Sequence, residues 1–456
     1  MLVFIVGVGV YFTFRLNWFQ VTQIPLWIKG TLGLLLSGKK AGDGAVTPFQ
    51  AFCTAMAATA GTGNLVGVAT AIILGGPGAI LWMWVSGFFG MITKFIEILL
   101  AVFYRKRNKK GDWVGGPMYY ISIGLGKNFK WLAILFSIFG ALCAFGIGNM
   151  TQINSIVATA EGMFIDLNLI SSSVSTEFSI FRLILGIVLA VVLALILLGG
   201  LKRIGQVTEF LVPFVGLACI IGSIIAVIFH ADQVGNALMM IIEGAFQVEA
   251  VGGGVLGYGI MQSVRYGIAR GVFTNEAGLG SAPIAHAAAE VDDPVKQGLW
   301  GVFEVFADTL IMCTLTALVI LTSGVFIGPE TTLDAAQMVS AAYKASFGVG
   351  GSVFLSFIVL IFAFCTTLSW SLYGVRCFEY LTGGKYSRVY QAIFCATVVF
   401  SAIMKLELAW EIADTLNGLM AIPNLIALVG LSSIAVKVCK DYLAKLKEEK
   451  KKLIES

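Results

Sequence analysis

The feature that most constrains this chain is a series of apolar windows, each long enough or nearly long enough to cross a bilayer. Eleven fall at about 1–19, 47–74, 78–104, 131–160, 180–200, 205–230, 253–288, 297–323, 350–381, 387–404 and 408–436. The hydrocarbon layer is roughly 30 Å thick, so a spanning helix needs about 20 largely apolar residues. Shorter pieces at about 233–248 and 331–347 read as interfacial or loop helices. Composition points the same way: 58% of the 456 residues are apolar and 12% charged, where a soluble domain carries roughly 25% charged residues. A water-wetted globule could not hide that much apolar side chain, and a disordered chain is poor in it. The expected class is an all-α polytopic membrane protein.

Basic residues fix the expected direction. With the amino terminus outside, 23 of the 30 Lys and Arg residues fall in the inner loops and the carboxy tail, and three (Arg182, Lys344, Lys405) fall outside. Positive charge is retained on the cytoplasmic side, and an error of one span would scramble the pattern. The tail from 437 to 456 is then cytoplasmic. The net charge of +4 therefore says nothing of nucleic acid, and neither a nucleic acid nor an obligate protein partner is expected. Eight cysteines stand singly, without a C-x-x-C pair, and read as small packing residues. The stretch before Arg15 lacks a basic n-region and a cleavage site, so it is not a signal peptide. It is short for a span, and either Asn17-Trp18-Phe19 completes the helix or the chain as given starts inside it.

Two windows are not continuous apolar helix. The second contains Ala57-Ala-Thr-Ala-Gly-Thr-Gly-Asn64, and the seventh contains Arg270-Gly-Val-Phe-Thr-Asn-Glu-Ala-Gly-Leu-Gly-Ser-Ala-Pro283. Glycine disfavours helix and proline breaks it. A freed N–H or C=O in hydrocarbon costs several kcal/mol unless something polar meets it. Small residues in spans also serve close packing, and Gly63-x-x-x-Gly67 fits that pattern. Here each break carries Thr, Asn or Glu as well, and each opens a group of five spans. That is the trace of inverted-repeat secondary transporters, whose substrate and ions sit at half-helix ends. The amino end of a half-helix offers N–H groups to a carboxylate, and the carboxyl end offers carbonyls to a cation. A zwitterionic amino acid with Na⁺ suits such a site.

Specific stretches then resemble a known family. Gly75-Gly-Pro-Gly-Ala-Ile-Leu-Trp-Met-Trp84 closely resembles the signature of the alanine-or-glycine:cation symporters, departing at Leu81 where Phe is expected. Thr47-Pro-Phe-Gln-Ala51, Thr59-Ala-Gly-Thr-Gly-Asn64, Gly115-Gly-Pro-Met-Tyr-Tyr120 and Gly271-Val-Phe-Thr-Asn-Glu-Ala-Gly-Leu-Gly-Ser281 look like the same family. The resemblance covers the chain to about residue 436. It implies the leucine-transporter (LeuT) fold, a 5+5 inverted repeat preceded by one extra helix, and cation-coupled uptake of small neutral amino acids at a prokaryotic plasma membrane. The expected organisation is an extra helix and amphipathic segment (1–45), a first repeat (46–252, broken at 57–64), a second repeat (253–436, broken at 270–283) and the basic tail.

The resemblance also implies site residues. The fold's shared sodium site would use the carbonyls of Ala57, Ala60 and Ala363 with the hydroxyls of Thr366 and Thr367. Na⁺ favours such hard oxygen ligands. A second site found in some relatives would use Thr59, Asn64, Thr274 and a polar residue near Asp308, a carboxylate where an amide is expected. The substrate carboxylate would meet N–H groups around Gly61, Thr62 and Gly63, the ammonium would meet carbonyls around Phe273 and Thr274, and Asn149 or Gln152 would contribute to the pocket from the fourth span. Phe273 and Trp370 would close the pocket over a small side chain. Substrate contacts are thus expected from Thr59, Gly61, Thr62, Gly63, Asn64, Gln152, Phe273, Thr274, Thr367 and Trp370.

The remaining charged residues have plainer readings. Glu276, in the second break, would bond freed N–H groups or face a proton path. Lys94 and Glu97, three apart on one helix face, would pair with each other. Arg265, Arg270 and Arg376 are placed near cytoplasmic helix ends, snorkelling or pairing with acidic loops. His230 reads as interfacial, and His286 alone is weak evidence for proton coupling. An H⁺-coupled symporter, or a transporter of the same architecture for another small solute, stays open beside the sodium reading. An intramembrane enzyme lacks its signatures: there is no H-E-x-x-H, no G-x-S-x-G, and only two histidines far apart.

Overall fold

The computed structural model describes residues 1–35, 46–109, 111–170, 180–246, 252–328, 332–404 and 406–455. Three helices come first: α1 (Leu2–Arg15), α2 (Phe19–Thr22) and α3 (Ile24–Leu35). The rest of the expected amphipathic segment, 36–45, lies outside the described residues.

The next group opens on two arms of one interrupted span, α4 (Pro48–Thr59) and α5 (Val66–Gly75). The start of α4 is set locally. Thr47 accepts from the Gln50 amide at 2.9 Å, the Gln50 side chain accepts from the Thr47 amide at 3.1 Å, and Pro48 occupies the first turn, a reciprocal cap. Then come α6 (Ala79–Phe103), the hairpin β1 (Lys106–Arg107) with β2 (Trp113–Val114), and α7 (Pro117–Tyr120). α8 (Lys130–Phe145) runs through a π-turn at Gly146–Met150 into α9 (Thr151–Asp166), followed by α10 (Ile180–Leu197), α11 (Gly200–Phe229) and α12 (Val234–Phe246). The second group repeats the opening: α13 (Gly252–Asn275) and α14 (Ala282–His286) are arms of another interrupted span. After them α15 (Pro294–Val305) passes through a π-helical stretch, Phe306–Cys313, into α16 (Thr314–Thr322). The remaining helices are α17 (Ala335–Phe347), α18 (Val349–Thr382), α19 (Ser387–Ile403), α20 (Leu406–Gly430) and α21 (Ser432–Glu455).

Among the described residues seven helices are long and apolar enough to cross a membrane on their own. The other four expected spans correspond to helices that are short, Leu2–Arg15 and Ser387–Ile403, or interrupted, Pro48–Gly75 and Gly252–His286. Both breaks are narrower than expected, since helix persists to Thr59 and to Asn275.

The interrupted spans hold the centre. α6 packs against both α13 and α15, α5 against α13, and α14 against α4, while α18 flanks this unit through α4 and continues to α8 and α9. At the periphery α10 and α11 bury 22% and 28% of their apolar windows, against 83% for α6. The outward residues there include Leu198, Phe210, Leu217 and Ile228, all at least 60% exposed. An apolar band of that extent belongs against lipid.

Close approach of α13 to α6 depends on two glycines one turn apart. A Cβ on Gly267 would lie 2.2 Å from the Ala79 carbonyl oxygen, and one on Gly271 2.2 Å from Ser86 Oγ. The obstacle at Gly267 is backbone, which cannot rotate away. Gly267→Ala should therefore lower thermal stability in detergent by the roughly 1–3 kcal/mol of an overpacked contact. Gly259→Ala, on the same helix with nothing within 4 Å of the new methyl, should instead raise it by roughly 0.5–1 kcal/mol.

Candidate functional site

The first break is held open by side chains. α4 ends at Thr59, and Thr62–Asn64 form a single 3₁₀ turn before α5. The freed Gly61 amide donates to Asn64 Oδ1 at 3.1 Å, and the Thr62 amide donates to Gln152 Oε1 at 3.2 Å. Gly61 needs to be glycine for space rather than for conformation: a Cβ there would lie 2.5 Å from Thr366 Oγ1 and 3.1 Å from Gln152 Oε1. The Thr62 hydroxyl is buried with no hydrogen-bond partner among the described residues.

The second break spans Glu276–Ser281. Glu276 has φ +56°, a left-handed conformation that costs a non-glycine residue roughly 1–3 kcal/mol. Gly278 and Gly280 follow at φ +90° and +78°, where glycine is at ease. The Asn275 side chain accepts from the Ala277 amide at 3.0 Å and donates to Thr309 Oγ1 at 3.0 Å. Glu276 does not take freed backbone N–H groups. Its oxygens accept from Trp370 Nε1 at 2.8 Å and Ser281 Oγ at 2.5 Å, so the strained residue is pinned from α18.

The first break meets the last turn of α13, just ahead of the second break, because a Cβ on Gly63 would lie 3.0–3.1 Å from Thr274 atoms. Two oxygen clusters lie beside the first break. In one, Asp308 Oδ1 accepts from Asn64 Nδ2 at 2.6 Å and Thr274 Oγ1 at 3.2 Å, with Thr309 Oγ1 on Oδ2 at 2.9 Å. Asp308 belongs to the π-helical stretch, whose extra residue per turn is a frequent mark of functional sites. Thr59 is not in this cluster: its hydroxyl reaches the Met56 carbonyl at 3.2 Å and Glu304 Oε1 at 3.3 Å. In the other cluster Thr366 Oγ1 donates to the Ala57 carbonyl at 2.7 Å. Thr367 Oγ1 stays on its own helix, donating to the Ala363 carbonyl at 2.9 Å. Ala60 is fully buried at the end of α4.

Of the two expected pocket-closing aromatics, Trp370 is fully buried and packs so tightly on Gly148 that a Cβ there would lie 2.1 Å from its own Cβ. Phe273 packs against Trp410 with ring centroids 4.6 Å apart and the rings tilted by 43°. Above both rings lies Arg270, its guanidinium carbon 5.5 Å from the Phe273 centroid and 4.6 Å from that of Trp410, and ion-paired to Asp414 at 2.5 Å. It borders a cavity of about 200 Å³ that Tyr266, Phe273, Asp414 and Asn417 also line. Arg270 is thus neither at a helix end nor paired with a loop, and Arg376 pairs within its own helix with Glu379 at 2.8 Å. Asn149 stays away from the breaks, donating to the Phe394 carbonyl at 2.9 Å.

Lys94 and Glu97 do not pair. Lys94 Nζ donates to Glu304 Oε1 and to the Asn275 carbonyl, both at 2.7 Å. Glu97 Oε1 accepts from the Gly280 amide at 3.1 Å and Asn424 Nδ2 at 2.5 Å. Residues three apart share a helix face, yet a fully buried charge turns to the strongest partner across the interface. Glu304 was not singled out from the sequence. The available signal was its position, a carboxylate inside an apolar window.

Interrupted spans meeting at oxygen-lined breaks inside an apolar bundle define a transporter of the inverted-repeat class. The chain belongs to the sodium:alanine symporter family, whose model matches residues 1–456. It is 42% identical to an uncharacterized transporter of Haemophilus influenzae, over 98% of this chain and 94% of that protein. It is also 42% identical to the sodium/alanine symporter AgcS of Methanococcus maripaludis, over 99% and 96%. Among solved structures MhsT, crystallised with L-phenylalanine, superposes with a TM-score of 0.62 at 13% identity, covering 85% of this chain and 91% of that one. The fold is accordingly that of the leucine transporter, and the protein is an integral membrane amino-acid symporter, not an enzyme.

The pinning of Glu276 by Trp370 can be measured. Trp370→Phe keeps an aromatic ring but removes the N–H from a buried carboxylate, and should lower stability in detergent by about 1–3 kcal/mol. Glu276→Gln, which retains an acceptor for the indole, should cost less.

Proposed function

We propose that the protein couples Na⁺ influx to uptake of small neutral amino acids, alanine and glycine, by alternating access. The observation that carries this reading is the pair of oxygen clusters beside the first break, Ala57 with Thr366 and Asn64 with Thr274 and Asp308. In the first, the carbonyls of Ala57, Ala60 and Ala363 and the hydroxyls of Thr366 and Thr367 hold a sodium ion without fixed charge. In the second, Asn64, Thr274 and Asp308 hold another with a fixed charge, and Thr59 joins only if its hydroxyl leaves Glu304.

The substrate carboxylate lies at the N–H groups of Gly61, Thr62 and Gly63. Support comes from the Gln152 carboxamide oxygen, which already accepts from the Thr62 amide as a carboxylate oxygen would, and from the unpartnered Thr62 hydroxyl. The ammonium faces the Phe273 and Thr274 carbonyls, and Phe273 with Trp370 limits the side chain. The repeats are taken as 46–252 and 253–436, in a prokaryotic plasma membrane with the amino terminus outside and the carboxy terminus in the cytoplasm. A second reading, H⁺ coupling, draws on Asp308, because its carboxylate could carry a proton where relatives of this fold hold sodium with an amide.

Alanine uptake into proteoliposomes, with and without an inward Na⁺ gradient at fixed pH, tests both. Uptake should require the sodium gradient, and Thr366→Ala should raise the sodium needed for half-maximal uptake by about tenfold or more, the worth of one lost polar contact. Equal uptake under a pH gradient without sodium would overturn the sodium reading in favour of the proton one.

A further inference from the structure

The two breaks are joined at a third place, by groups that neither ion cluster uses. Lys94 is fully buried in mid-span. Its ammonium meets the carbonyl of Asn275, the last residue of α13. That carbonyl loses its helical partner at the break and sits at the negative end of the half-helix dipole. The second contact of the ammonium, Glu304 Oε1, also accepts from Thr59 Oγ1 at the end of α4. Glu304 Oε2 faces His286 Nε2, at the end of α14, at 3.3 Å. Gln297 Nε2 approaches His286 Nδ1 at 2.7 Å and the Pro48 carbonyl at 3.3 Å, which leaves the ring proton on Nε2, directed at Glu304. Three arms of the interrupted spans, α4, α13 and α14, therefore converge on one ammonium–carboxylate couple.

A backbone carbonyl at a half-helix carboxyl end is what coordinates a cation in this class of protein, and here a carboxylate stands beside it. We propose that Lys94 is a tethered cation: its ammonium permanently occupies a third cation seat, formed by the Asn275 carbonyl and Glu304, whose Oε1 also accepts from the Thr59 hydroxyl, so that the breaks are joined there without a transported ion. An ordinary buried ion pair would need only Glu304. The bond to the break carbonyl makes Lys94 a positioning residue for the transport cycle. The inference rests on the symport reading for its consequences and on the geometry alone for the seat.

Removing the tether should reopen the seat. In proteoliposomes driven by whichever gradient supports wild-type uptake, Lys94→Ala should lose at least tenfold in rate. Several-fold recovery should follow on adding n-propylammonium or on raising sodium well above the wild-type requirement. Purified Lys94→Ala should also be stabilised against heat by n-propylammonium, where wild type is not, a readout that needs no transport and stays decisive if sodium coupling itself fails. The neutral pair Lys94→Met/Glu304→Gln should fold yet transport poorly and respond to neither cation, while Lys94→Arg should retain activity. Wild-type transport by the neutral pair would overturn the proposal. So would a monodisperse Lys94→Ala protein that neither cation rescues nor stabilises. If Lys94→Ala does not survive purification, the neutral pair and Lys94→Arg still decide.

Discussion

Everything central to this structure follows from the demand that a backbone group freed inside hydrocarbon find a polar partner. Interrupting a span at Ala60–Leu65 and again at Glu276–Ser281 frees groups where water is scarce. Polar side chains, most of them from other helices, meet them. Asn64 and Gln152 take the Gly61 and Thr62 amides, Asn275 and Glu97 take those of Ala277 and Gly280, and Lys94 and Asn424 donate to the Asn275 and Gly278 carbonyls. Many polar residues within the apolar windows therefore have identifiable partners at the breaks, while α10 and much of α11 face lipid.

That demand explains what was legible in the sequence and what was not. Span positions are local properties, and the window at 78–104 differs by one residue at each end from α6. The breaks were legible for the same reason, since Gly61, Gly63, Gly278 and Gly280 disfavour helix and Pro283 marks the first turn of the arm that follows. The ends of the breaks were overrun, because helix geometry holds until the last residue whose carbonyl or amide can still be served. The meeting of Asn64, Thr274 and Asp308 was reached only through resemblance to a family, since those residues lie up to 244 positions apart.

Misreadings came where local geometry offered a plausible partner. Lys94 and Glu97 stand three apart, and helix-face adjacency favours a pair. Each instead serves a different part of the second break, Lys94 the Asn275 carbonyl and Glu97 the Gly280 amide. Surface pairs of that spacing are worth only a few tenths of a kcal/mol, whereas a break carbonyl or amide left bare in the interior costs several times more. The larger cost decides which partner each side chain takes. Arg270 was misplaced likewise: an arginine near a break reads as a helix-end cation, but the rings of Phe273 and Trp410 and the carboxylate of Asp414 hold it buried between α13 and α20.

The same reasoning orders the buried charges. Among the described residues four carboxylates are fully buried, Glu97, Glu276, Glu304 and Asp308. Glu304 alone has an ammonium in contact, and no metal-type cluster of three ligating side chains stands among the described residues. Glu97 and Glu276 are held by neutral donors on structural parts of the second break. Asp308 faces the first break, with an amide and two hydroxyls around it. A carboxylate so placed lacks a resident counter-charge and lies where the two interrupted spans meet, so a cation arriving there would draw Asn64 and Thr274 toward one centre. Glu304 needs no such visitor, because Lys94 is already in place. The two carboxylates nearest the break ends thus differ in one physical respect: Glu304 meets a resident ammonium, and Asp308 meets only neutral donors.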